Sequence, residues 1–194
     1  TTPTTTTTLP NGTTESVTTI DPVGSSGSGG GVLTVPLAST GSGGSGESLL
    51  SATLPAGVGL TSEVSFHEGM TLRQQLIAAS NPRISNDPAF REVVDEGIDQ
   101  YVPGVLDQGQ VTVRTITLTA GANLSGTPGR IVIDGALGTG EDSVSHPLRQ
   151  EALVIDARKL PPGTEIQLDN VEFAIVIGAA RLVGGSGRNF VVGD

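Results

Sequence analysis

A chain of 194 residues with a formal net charge of -10 is long enough for one domain with an extension or for two very small domains. The charge arises from scarce basic residues, Lys159 being the single lysine, with acidic residues spread along the chain and mostly from Glu47 onward, so it describes a solvated surface. Aromatics at 3 %, no tryptophan and no basic patch disfavour nucleic-acid binding, and the absence of cysteine excludes disulfides and thiolate metal sites.

The first stretch, TTPTTTTTLPNGTTESVTTIDPV, is Thr/Pro-rich with few large apolar side chains, and predicts an extended stalk. SSGSGGG (Ser25 to Gly31) and STGSGGSGES (Ser39 to Ser48) have the composition of flexible linkers. Between them, VLTVPLA (Val32 to Ala38) alternates as a strand does, with Val32, Leu33, Thr34, Val35 and Leu37 as the residues of a candidate inter-subunit strand. Such a strand must dock on the main domain or on another subunit, and Pro36 confines it to an edge or interrupts it. Residues 1–47 are therefore expected to form an extended low-complexity arm, and 48–194 a β-rich globular domain.

From Leu49, SLLSATLPAGVGLTSEVSFHEG suggests short strands broken by Pro55, Gly57 and Gly59. TLRQQLIAAS carries Leu72, Leu76 and Ile77 at helical spacing, with Thr71 as a cap. In NDPAFREVVDEGIDQYV, Asp87 is the expected N-cap and Pro88 the first helical residue, with Phe90, Val93, Val94, Ile98 and Tyr101 forming one stripe. Pro103-Gly104 is expected to stop this helix, which places a small helical insert at about 71–102. VTVRTITLT (Val111 to Thr119) then alternates, with a phase slip near Arg114 that a bulge would absorb. RIVIDGAL, ALVIDA and EIQLDNVEFAIVIG continue the strands, and the continuous apolar run Ala174 to Ile177 predicts burial on both faces. The expected fold class is mainly β, a β-sandwich or β-solenoid-like domain with a small helical insert.

The C-terminus reads NVEFAIVIG, AARLVGG, SGRNFVVGD, short apolar strands each closed by glycine or Gly-Asp. That cadence fits successive rungs of a stacked β structure, with glycine permitting the corners. Within it, Gly184 to Val192 compares with the calcium-binding nonapeptide GGxGxDxUx, with Asn189 in place of the aspartate. The segment Leu160 to Asp194 resembles regions that precede hemolysin-type (RTX) calcium-binding repeats in large bacterial secreted surface proteins. The resemblance implies a metal site with Asn189 and Asp194 as side-chain ligands and Gly185 and Gly187 as carbonyl ligands, and calcium as the one candidate cofactor. Asn for Asp removes a charge from a hard-cation site and weakens it. A structural turn is the competing reading of the same residues.

Catalytic constellations are weak. Asp95-Glu96 with Asp99, and Glu141-Asp142, read as solvated surface, because a glycosidase needs two carboxyls facing across a cleft. His67 and His146 belong to no ligand pattern, and Asp142, Ser145 and His146 lie too close on one loop to form a triad. GALGTGED lacks the ending of a phosphate loop. No apolar run approaches the roughly 20 residues of a membrane span, so no membrane insertion is expected. The N-terminus lacks the charged-then-apolar order of a signal peptide, so the chain reads as mature or cut from something longer. Together these features point to a noncatalytic protein of the bacterial surface or exterior. Its expected partners are copies of itself or other cell-surface proteins. The alternative is a calcium-binding accessory module of a larger RTX-like secreted protein.

Overall fold

Alternating apolar residues make sheets with one buried face, and this chain makes two. The computed structural model describes residues 4–8, 14–22, 32–39, 48–64, 69–84, 87–105, 111–122, 124, 126–135, 150–185 and 190–193. The N-terminal strands are β1 (Thr4–Thr8), β2 (Thr14–Ile20), β3 (Leu33–Ser39), β4 (Ser48–Leu54) and β5 (Val58–Val64). Helices α1 (Leu72–Ser80) and α2 (Pro88–Val105) follow. The C-terminal strands are β6 (Val111–Ala120), β7 (Ile131–Gly135), β8 (Gln150–Lys159), β9 (Glu165–Asp169), β10 (Phe173–Ile177), β11 (Arg181–Gly184) and β12 (Phe190–Gly193). One sheet has the order β1-β2-β5-β6-β8-β10-β12, and the other β11-β9-β7-β4-β3.

The two halves of the chain pair differently. β1, β2, β5 and β6 join antiparallel, as do β3, β4 and β7. From β6 onward the chain alternates between the sheets, and every like-sheet neighbour is parallel. Ala152 pairs with Phe173 and Phe173 with Phe190, while Ile166 pairs with Ile131 on one side and Leu182 on the other. This is a solenoid-like winding, as the glycine-closed cadence of the sequence leads one to expect. Three-residue corners at 170–172 and 178–180 reverse the chain between sheets. At the second, Gly178 has φ +120°, and a Cβ there would lie 2.7 Å from the Arg158 nitrogen, so only glycine fits the corner.

Two apolar layers hold the domain together. Leu37, Leu50, Leu60, Ile116, Ile133, Ile155, Leu168 and Val176 belong to the layer between the sheets. Leu76, Phe90, Val94, Ile98 and Tyr101 pack on the outer face of the seven-stranded sheet, against Val113, Val154, Phe173 and Ile175. β8 and β10 lie beneath both layers, and every residue of β10 is buried, as the run Ala174 to Ile177 predicts. Each such Val, Ile or Phe contributes about 1.5–3 kcal/mol on burial, which makes these strands the anchor of the fold. Tyr101 stacks on Phe173 with ring centroids 4.1 Å apart.

The helical insert matches its sequence signals at its start and departs at its end. Thr71 caps α1 in a reciprocal box with Gln74, and Asp87 Oδ1 accepts from the Ala89 and Phe90 amides at the start of α2. α2 runs through Pro103 to Val105 rather than stopping there. Pro103 has no amide hydrogen for the Asp99 carbonyl, so the helix forgoes that one bond just before its end. In β6 the phase slip expected near Arg114 is absent. Arg114 is in step with Ile116 and Leu118 and points inward, and the ladder to β8 shifts instead between Thr117 and Thr119. Val113 faces the helix layer while Ile116 and Leu118 face the inter-sheet layer, so the apolar residues change phase without a bulge because both faces of the strand are covered.

Candidate functional site

Among the described residues β3 is the edge strand of its sheet, pairing antiparallel with β4 alone. Its inward residues insert into the layer between the sheets: Leu37 is fully buried, and Val35 and Ala38 are nearly so. Its outer residues stay in water, with Thr34 Oγ1 3.0 Å from Thr53 Oγ1 across the ladder and Val32 and Leu33 exposed at 66 % and 44 %. The ladder is irregular on both sides of Ala38, following Pro36, which has no amide hydrogen to give. The strand therefore closes one end of the layer between the sheets. In this single chain Val35 and Leu37 fill the chain's own core, and Val32, Leu33 and Thr34 remain on the surface.

The residues that the RTX resemblance implies as ligands are only partly placed. Asn189, Gly187 and Asp194 lie outside the described residues. Gly185 follows β11 and stacks on the preceding rung: a Cβ there would collide with Asp169 Oδ1 and lie 2.5 Å from the Leu168 carbonyl oxygen. This glycine is thus required by close packing of one corner on the next. Asp134 lies opposite Asp169 one rung further back, and its Oδ1 accepts from Asn170 Nδ2 at 3.0 Å. Asn170 takes the left-handed conformation, φ 53°, that the corner demands. Among the described residues no group of three or more His, Cys, Asp or Glu is placed to hold a metal ion.

The other candidates remain dispersed. Asp95, Glu96 and Asp99 lie along α2, and Asp99 is engaged by Arg73 of α1 in an exposed ion pair. The Arg73 hydrogen bond holds the Asp99 carboxyl below its ordinary range. His67, Glu141, Asp142, Ser145 and His146 lie outside the described residues. Among the described residues, no helix is long and apolar enough to cross a membrane.

Two buried polar groups had only a faint signal in the sequence. Arg114, with no exposure, donates to Glu151 Oε2 at 2.9 Å and to Ser62 Oγ at 3.1 Å, binding β5, β6 and β8 at one end of the inter-sheet layer. An arginine in the inward phase of a strand is that signal. Asp156, on the helix-bearing face of β8, holds Arg158 at 2.7 Å and Arg83 at 4.0 Å, and so ties the α1–α2 connection to the sheet. Burial pushes the Asp156 carboxyl upward, but the Arg158 hydrogen bonds and the Arg158 and Arg83 charges outweigh it and hold the group below its usual value. Burial raises Glu172; burial, then the Glu172 charge, raises the Tyr101 hydroxyl. These groups are distributed over separate elements.

Comparison with protein-family models, curated proteins and solved structures finds no match to this chain.

Proposed function

We propose that this chain is a noncatalytic extracellular structural protein, a subunit of a bacterial surface filament or matrix or a module of an adhesin, that assembles through its N-terminal arm. The observation that carries the reading is β3. An edge strand with a fully buried Leu37 is flanked on both sides by Gly/Ser-rich sequence, 23–31 and 40–47. The same contacts with β4 are available to the β3 of a neighbouring copy, so exchange costs no packing. The Thr/Pro-rich start and the cysteine-free composition support the exterior location.

The absence of cysteine makes the test clean. Thr34→Cys and Thr53→Cys are prepared as separate variants, mixed after partial unfolding, refolded together and oxidised. Strand exchange yields a disulfide between the two chains, and electron microscopy of the unmodified protein shows filaments. A mixture that gives no such product, together with a monomer at every concentration, refutes the reading.

The alternative, a calcium-binding accessory module of a larger RTX-like secreted protein, is favoured by one observation, the stacking of Gly185 on Asp169 at successive corners. Calorimetric titration with calcium tests it, and absence of both heat and thermal shift refutes it for this chain.

A further inference from the structure

The N-terminal arm grips the body with two strands, one in each sheet. β2 extends the seven-stranded sheet beyond β5, with Thr18 opposite Ser62, Thr19 opposite Thr61 and Ile20 opposite Leu60. Thr18 and Ile20 are buried, and Ile20 joins Val35, Leu37 and Ala38 of β3 in the layer between the sheets, where β2 and β3 are in contact. The strands that receive them, β5 and β4, are consecutive and joined by the three residues 55–57. The body thus offers the arm two adjacent edges. The β5 edge is also shaped for its occupant. A Cβ at Gly59 would lie 2.7 Å from both the Ile20 carbonyl oxygen and Pro22 Cδ, and one at Gly121 3.0 Å from Pro22 Cβ. The Gly121 amide donates to the Gly57 carbonyl at 2.8 Å and holds the glycines of this cradle together. Plain strand addition needs only a ladder of backbone hydrogen bonds, whereas this edge has in addition a seat for Ile20-Asp21-Pro22.

We infer that the acceptor for a neighbour's arm is this pair of edges taken together, the glycine cradle at β5 and the ladder of β4, and that a second copy of this chain donates β1, β2 and β3 as one clip. The inference rests on the arm-mediated assembly proposed above and specifies its acceptor surface. Topology favours the clip over β3 alone. Were β3 to cross to a neighbour by itself, both of its connections, 21–32 and 40–47, would have to span the two copies. The clip crosses once, through 40–47, and so closes one loop between copies in place of two. β1 travels with it, since it pairs with β2. The clip is also bivalent: once β3 has docked on a neighbour's β4, β2 is held beside that neighbour's β5 at high effective concentration. The packing of β2 on β3 moves unchanged from one copy to the other.

Two labelled chains test it. One carries Thr19→Cys and Thr34→Cys, both on the arm, and the other Thr53→Cys and Thr61→Cys, both on the body. Positions 19 and 61 lie on the outer face of the seven-stranded sheet and 34 and 53 on that of the five-stranded one, so the two thiols within a chain are kept apart by the sandwich. The chains are mixed after partial unfolding, refolded together and oxidised, and the bonds are mapped by peptide mass spectrometry. The expected product joins the two chains at 19–61 and 34–53 at once. Thr19→Cys/Thr61→Cys within one chain closes its own bond and shows that this pair of Cα partners can be linked. A product joined at 34–53 alone, with free thiols at 19 and 61, overturns the clip and leaves β3 exchange standing. No product between chains overturns arm-mediated assembly itself. A second measurement does not depend on disulfide geometry. Gly59→Ala crowds β2 and not β3, yet it is expected to speed amide exchange in β3 as well as β2 about tenfold, while β8 and β10 keep the parent's rates. Acceleration confined to β2 shows that the strands open separately and overturns the clip.

Discussion

Replacing Leu37 by alanine tests whether β3 is a separable stave or an integral part of the body. Leu37 is fully buried in the layer between the sheets, so the truncation removes its transfer free energy and leaves a cavity, about 2–5 kcal/mol in all. Val35 and Leu37 together supply about 3–6 kcal/mol of apolar hold on this strand. The loss is therefore comparable with everything that keeps β3 docked by side-chain burial. Beyond that burial, β3 is held by Ala38, by contact with β2 and by the ladder to β4, which is irregular around Ala38. In the variant, β3 is expected to detach while the body stays folded. Native-state hydrogen exchange reads this directly: amides of β3 and β4 become fast, while those of β8 and β10, buried beneath both layers, remain slow. The urea midpoint of the main transition moves by less than the full loss would require. If exchange instead accelerates uniformly across β4, β8 and β10 and the midpoint falls by the full amount, β3 belongs to one cooperative unit. The argument from its edge position then fails.

Three further outcomes follow from the buried polar groups and the corners. Arg114→Met, which removes the guanidinium that binds Glu151 and Ser62, is expected to destabilise by about 3–5 kcal/mol in urea unfolding, and adding Glu151→Met is expected to recover part of it; equal losses in single and double variants would show that the pair is not coupled. Gly178→Ala is expected to cost at least about 1–3 kcal/mol, because its Cβ meets the backbone of Ala157 and Arg158 at a positive φ; an unchanged thermal midpoint would contradict the corner's geometry. The Asp156 carboxyl is held below its unfolded value of about 3.8, so its contribution is complete above that pH and is lost as pH falls through the lower folded value. Acid titration of stability is accordingly expected to be shallower below pH 4 in Asp156→Asn than in the parent, and identical profiles would remove the group from the account.

Much of the architecture was legible in local pattern. The caps at Thr71 and Asp87, the stripe Phe90–Val94–Ile98–Tyr101, from which the expected Val93 departs by being exposed, and the doubly buried run Ala174 to Ile177 each follow from spacing and side-chain chemistry, because capping and amphipathic burial act within a few residues. The glycine-closed cadence from Asn170 onward likewise announced a stacked winding. The phase change near Arg114 was read as a bulge, since nothing adjacent in sequence reveals that helices cover Val113 on one face while Ile116 and Leu118 face the other sheet. The same distance hides why Gly185 must be glycine: the atoms that exclude a Cβ belong to Leu168 and Asp169 on the preceding rung.

Alternation by itself determined that this chain is mainly β, with a helical insert and an apolar strand isolated between Gly/Ser stretches, because side-chain periodicity is a local property. Only the tertiary structure decided that this strand is an edge stave plugging the core through Val35 and Leu37. It alone also decided that Ser62 and Glu151 come to meet Arg114. Both depend on which strands become neighbours, and strand order is set by long-range pairing that no local pattern encodes.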